Sequence, residues 1–191
     1  SFNPLEKTVL GTVIHTFTAL QSNIDTIFLN APGIRIHSVK MDKKPLIFKS
    51  NSEGLIIYTE LKNAFQKEYK IEINYTANPK KGIYFIGWEL DSIEMPEHMT
   101  RKQIWTQGQG IDNRHWIPMV DDRSDKFITE TTVTFDDNYK VLSNGKLEKV
   151  KHNKKEGTKT WFYKMDKPHA GYLLKSTIFF HTKHILKHSW R

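Results

Sequence analysis

Cysteine is absent from all 191 residues. That removes disulfides, thiolate nucleophiles and thiolate metal sites from consideration. Long apolar runs are missing as well: nothing approaches the roughly 18 apolar residues of a membrane helix, and the first residues lack a basic-then-apolar leader pattern. The helical zinc motif H-E-x-x-H does not occur, and with it go the paired histidines and general base of a zincin site. G-x-S-x-G, the phosphate-cradling loop and the dinucleotide fingerprint are also missing. No internal repeat, low-complexity tract or interdomain linker interrupts the chain.

What is present reads as one globular all-β domain. A hydrophobic fraction of 38% with 12% aromatics is far from the profile of a disordered chain, and this length supports a real core. The formal charge of +8 raises the question of an acidic partner. The lysines between Lys140 and Lys167 are broken up by Glu148, Glu156 and Asp166, so solvated surface is their expected fate and nucleic-acid binding is the weakest of the readings.

Strand periodicity dominates. Tyr69, Ile71, Ile73, Tyr75 and Ala77 alternate with Lys70, Glu72, Asn74 and Thr76, which predicts a strand with one dry and one wet face. Tyr69 through Tyr75 are expected to point inward. The same alternation runs through 55–61 and through 127–135, where Thr131, Val133 and Phe135 share a face. Residues 9–20 form a longer strand rich in β-branched side chains. Asn30-Ala31-Pro32-Gly33, Asn51-Ser52-Glu53-Gly54, Asn78-Pro79 and Ser143-Asn144-Gly145 punctuate these runs, and Asn144-Gly145 suits a tight hairpin turn. Short strands with regular turn signals predict an antiparallel β-sandwich or saddle-shaped sheet.

The most specific stretch is Trp105-Thr106-Gln107-Gly108-Gln109-Gly110, followed by Arg114, His115, Trp116, Pro118 and Asp121-Asp122. It resembles the N-terminal β domain of the aminopeptidase N and leukotriene-hydrolase family of zinc metallopeptidases. That family carries a T-Q-x-[EQ] loop, an arginine and P-x-x-D-[DE]-P in this order. The resemblance extends to Leu10-Gly11-Thr12-Val13, Gly82-Ile83-Tyr84-Phe85, Val141-Leu142-Ser143-Asn144-Gly145, Lys159-Thr160-Trp161 and Tyr172-Leu173-Leu174. It covers roughly residues 9–174. The domain is therefore set at 1–174, with 175–191 a divergent tail that lacks the family's final strand pattern. Since the family has a further strand upstream, Ser1 is read as a trimmed start, and the compartment stays open between cytoplasm and periplasm, with a soluble chain expected.

The resemblance implies that Gln107, Gly108, Gln109 and Gly110 form a substrate-binding loop. Gln109 falls where many members place a glutamate that holds the substrate's α-ammonium group; the leukotriene-hydrolase branch has glutamine there. A glutamine oxygen accepts from an ammonium but lacks the Coulomb attraction, at most ~4 kcal/mol at ~4 Å in an effective dielectric near 20. Glycines at 108 and 110 would let a substrate backbone approach closely; a purely structural glycine-rich turn is the competing reading. Zinc is implied for a full-length family protein, with no cofactor, metal ligand or catalytic residue expected in these residues.

Asp121 and Asp122 are adjacent, so their side chains diverge and do not make a convergent acid–base pair. They are expected to cap structure, with Arg114 paired to one of them. His184 and His188 have i,i+4 spacing, with His181 a turn earlier, yet no carboxylate lies between them to act as base. Asn74-Tyr75-Thr76 is formally a glycosylation sequon but sits inside the cleanest strand. The leading functional expectation is the substrate-cleft domain of a zinc aminopeptidase, with a peptide N-terminus as its ligand once a catalytic domain is joined. The alternative is a free-standing β-sandwich binding module for peptide or glycan. A membrane partner is not expected.

Overall fold

The computed structural model describes residues 1–88 and 102–180. In chain order the strands are β1 (Phe2–Asn3), β2 (Thr8–Thr18), β3 (Ile24–Asn30), β4 (Arg35–Met41), β5 (Lys44–Pro45), β6 (Phe48–Ser50), β7 (Gly54–Leu61) and β8 (Glu68–Ala77). They continue as β9 (Ile83–Ile86), β10 (Gln103–Thr106), β11 (Lys126–Asp136), β12 (Tyr139–Ser143), β13 (Lys146–Asn153), β14 (Thr158–Ala170) and β15 (Ser176–Phe180). Two single turns of 3-10 helix, Asp112–His115 and Gly171–Leu173, are the helical elements among the described residues. None is long and apolar enough to cross a membrane.

The strands form four antiparallel sheets in the orders β1-β2-β8-β4-β5, β12-β15-β10-β9, β11-β14-β13 and β3-β7-β6. One apolar core joins them. Ile71 and Ile73 reach it from β8, Leu55 and Ile57 from β7, Ile104 and Ile178 from β10 and β15, and Val133 and Trp161 from β11 and β14. The all-β expectation holds, and β8 shows why. Ile71, Ile73, Tyr75 and Ala77 are buried with Tyr69 half-buried, while Glu68 and Lys70 are exposed and Glu72 and Asn74 lie partly open. Pleating alone sends alternate residues to opposite faces. Asn74 spends its amide on the outer face, donating to Ser38 Oγ at 3.0 Å and accepting from Thr12 Oγ1 at 2.5 Å.

Two expectations change. Asn144-Gly145 does not close a hairpin, because β12 pairs with β15 and β13 pairs with β14. Gly145 does take a positive φ of 82°, but the turn carries the chain from one sheet to another. A side chain there would overlap the carbonyl of Lys164. The expected loss of a final strand after Leu174 is also corrected. Ser176–Phe180 forms β15, pairing with β12 on one side and β10 on the other, with Ser176 and Ile178 buried. Within that stretch the paired aromatics at Phe179 and Phe180 obscure the alternation of period two. Residues 181–191, including His181, His184 and His188, lie outside the described residues.

Candidate functional site

Strand β10 ends at Thr106 and releases the chain into Gln107-Gly108-Gln109-Gly110. Gln107 and Gln109 are exposed, Gly108 is buried and Gly110 has a φ of 78°. The two glutamine side chains face one another, Gln107 Nε2 donating to Gln109 Oε1 at 3.4 Å. Neither amide is sunk in the core, so a structural turn with a buried Gln109 is not what forms here.

The backbone beneath them is fixed from several sides. Gln107 N donates to the carbonyl of Gly82 at 2.9 Å. Gly82 has a φ of 80°, and a side chain there would run into the carbonyl of Asp112. A Cβ on Gly108 would overlap the amide of Asn113 and crowd the carbonyl of Tyr172. Gly108 is glycine for packing reasons, whatever passes over it.

Asn113 is the residue that sequence reasoning missed. Its side chain is fully buried and uses donors and acceptor alike. Nδ2 donates to the carbonyls of Gly171 at 2.8 Å and Leu174 at 3.1 Å, while Oδ1 accepts from Trp116 Nε1 at 2.9 Å. One amide thus ties together the loop, the 3-10 turn and the segment leading into β15. That segment is held again by Asn144, which donates to Leu173 O at 2.9 Å and accepts from Lys175 N at 2.5 Å. Thr106 Oγ1 accepts from Ser176 N at 2.8 Å. Nothing in one sequence separates a buried asparagine from a turn asparagine, so no signal pointed to Asn113.

Residues 116–121 are pinned to the rest of the fold by Asn30. Asn30 and Met119 exchange backbone hydrogen bonds of 2.8 and 3.1 Å, and Asn30 Oδ1 accepts from Asp121 N at 3.1 Å. Arg114 Nε donates to Asp121 Oδ2 at 2.7 Å, as expected of one of the two aspartates. Asp122 points elsewhere and accepts from both N and Oγ of Ser124, at 2.8 and 2.7 Å, which draws its carboxyl below the usual carboxylate range. The pair does not converge. Trp116 is buried, with its indole N–H satisfied, and contributes no open apolar surface.

Trp105 is half-buried and stacks on Tyr84, ring centres 4.6 Å apart. Cross-strand register aligns Leu142, Thr177, Trp105 and Tyr84, then Lys140, Phe179, Gln103 and Ile86. These two rows lie opposite the buried row of Val141, Ile178 and Ile104, so they make the outer face of the sheet. Leu142 is 53% exposed and Ile86 41%. The sheet that bears the loop therefore shows an aromatic and aliphatic face to the outside.

These residues do not fit a zinc ion. The loop offers neutral amide oxygens, and among the described residues no group of three His, Asp or Glu side chains could hold a metal. Zinc favours histidine, thiolate and carboxylate donors, so no chemistry is routed through one here.

His15 extends from β2 to donate through Nε2 to the Pro118 carbonyl at 2.9 Å. Burial depresses its pKa, opposed by that hydrogen bond and by the Asp125 carboxylate. Because the unfolded chain binds the proton more readily, the stability owed to neutral His15 is fully present above about pH 6.5 and is lost as pH falls through the lower folded value. Burial likewise lowers His115. Urea midpoints should fall from pH 7.5 to pH 5, and His15→Gln should flatten that fall; an unchanged slope in the variant would remove His15 from the account.

Residues 1–173 match the Peptidase M1 N-terminal domain family. No curated protein sequence matches. Among solved structures, a mutant M1 zinc metallopeptidase from Deinococcus radiodurans bound to a Tyr-Ser-Ala substrate superposes with a TM-score of 0.75 at 15% identity, over 92% of this chain and 39% of its own. Yeast LTA4 hydrolase in complex with Bestatin gives 0.70 at 16%, over 91% and 26%. Legionella pneumophila aminopeptidase A in complex with aspartic acid gives 0.71 at 16%, over 88% and 19%. The chain thus spans well under half the length of these relatives, and by its fold and family match it belongs to the peptidase M1 N-terminal domain family.

Proposed function

We propose that this domain supplies one wall of an aminopeptidase substrate cleft. Residues Gln107, Gly108, Gln109 and Gly110 receive the free N-terminus of a peptide, and a zinc-bearing catalytic domain packed on the outer face of the β12-β15-β10-β9 sheet completes the site. The observation that carries this reading is the pairing of exposed Gln107 and Gln109 side chains with a backbone clamped by Gly82, Gly108 and Asn113. Exposed amides on a fixed frame suit a ligand better than they suit the core. The open face carrying Trp105, Tyr84 and Leu142 lies beside the loop on the same sheet, and sites of this kind commonly form where two domains meet. Support also comes from the Deinococcus radiodurans relative, which holds a tripeptide substrate.

In this role the chain's own residues bind and orient. Gln109 Oε1 accepts from the α-ammonium, Gln107 Nε2 steadies Gln109, and the open backbone at Gly110 lets the substrate main chain lie close. Bound zinc, held by the catalytic domain, would supply Lewis-acid activation of water and carbonyl. With this segment joined to a family catalytic domain, Gln109→Glu should improve kcat/KM for substrates with a free α-amine about tenfold, because a charge-assisted contact replaces a neutral one. N-acetylated substrates should not gain. Equal effects on both substrate types would refute the assignment of Gln109 to the ammonium group.

A further inference from the structure

The β11-β14-β13 sheet carries a dense run of lysines. Residues 146–167 contain eight lysines and three carboxylates, with no arginine. Every residue of β13 is exposed, and among the described residues no strand pairs with its outer edge. A bulge between Leu147 and Lys149 interrupts the ladder, but Lys149 to Asn153 stay in unbroken register with Phe162 to Thr158. Lys149 and Lys151 therefore share one face. Lys151 Nζ lies 5.6 Å from the Phe162 ring centre. Val150, opposite Trp161, lies on the other face and is 43% exposed.

At the end of this edge is a hollow of about 550 Å³ lined by Lys151, His152, Asn153, Lys154, Lys155 and Thr160. His152 is engaged with Asp137 at 2.7 Å, and Lys146 and Lys164 reach Glu148 and Glu130. No carboxylate among the described residues pairs with Lys149, Lys151, Lys154 or Lys155. The sheet edge thus presents open backbone groups, a period-two pattern of cation and aliphatic, and a basic hollow in line with them.

We propose that residues 149–153 are a docking edge for an extended acidic peptide segment. It adds to the sheet as a fourth strand, with carboxylates beside Lys149 and Lys151, an apolar side chain beside Val150 and a further carboxylate in the hollow. Strand addition takes affinity from main-chain hydrogen bonds and specificity from alternate side chains, and opposite charges directly across a pair are favourable. A second copy of β13 is a poor occupant, since lysine would meet lysine. Phosphate polymers and lipid headgroups cannot use the backbone ladder. Their bidentate contacts are made by arginine, absent here, and the Phe162 ring already carries Lys151. This inference is independent of the proposed cleft.

The test uses the 191-residue chain and a labelled acetyl-Glu-Val-Glu-Val-Glu-Glu-amide peptide, read by fluorescence anisotropy and amide chemical shifts. Expected are saturable binding, shifts confined to 149–153 and 158–162, and at least tenfold loss on N-methylating alternate peptide backbone nitrogens. Lys149→Glu with Lys151→Glu should abolish binding while the far-ultraviolet spectrum stays unchanged. Equal binding by the N-methylated peptide, or by a shuffled peptide of the same charge, would overturn the proposal. So would the absence of binding at millimolar peptide, or tighter capture by phosphatidylserine vesicles or by a single-stranded oligonucleotide.

Discussion

Replacing Asn113 with leucine should lower the stability of this chain by about 4 kcal/mol, the largest loss expected from any single change near the loop. The two side chains share the same branched heavy-atom skeleton, so no cavity opens; the cost arises from lost hydrogen bonds and from seating leucine's bulkier methyl groups. Leucine would leave the buried indole N–H of Trp116 and the carbonyl of Leu174 without their partner. Gly171 O would keep its bond from Leu174 N, which is why the loss is not larger. Aspartate at this position should be no better, since it cannot donate to either carbonyl. Chemical denaturation followed by tryptophan fluorescence reads the effect, and a loss below about 1 kcal/mol would show that water replaces the amide.

Arg114→Met should cost about 3 kcal/mol, because it leaves the Asp121 carboxylate, whose side chain is 4% exposed, buried without its counter-charge. The double variant Arg114→Met with Asp121→Asn should recover a substantial part of that loss, since removing both charges removes the desolvation debt. A double variant as unstable as the single one would mean that the Asp121 carboxylate matters through other contacts. Asp121 N is held by Asn30 Oδ1, so the backbone at this point should stay in place in both proteins.

Much of this fold was legible in the sequence because pleating converts a period of two directly into burial. Residues 69–77 and 127–135 show it: their alternating faces are those of the structure. The stretch 107–110, read as a loop, does follow the end of a strand. What was not legible depends on long-range partners. Asn144-Gly145 has the composition of a hairpin turn, but which strands pair across it is decided by β14 and β15, which lie further along the chain. The burial of Trp116 against Asn113 is of the same kind, and no local pattern announces it for either residue. Strand β15 was overlooked because it departs from the family's usual wording, although Ser176 and Ile178 fill the same inward positions that any strand there would need.

The central claim is that the 107–110 loop meets a peptide's amino terminus in a cleft between this domain and a second one. The most direct measurement is a crystal structure of this segment joined to a family catalytic domain, with an uncleaved dipeptide analogue bound. The account predicts the α-ammonium nitrogen within about 3.2 Å of Gln109 Oε1, with Trp105, Tyr84 and Leu142 covered by the second domain. A bound analogue whose amino group is held wholly by other residues, with Gln107 and Gln109 still facing solvent, would contradict it.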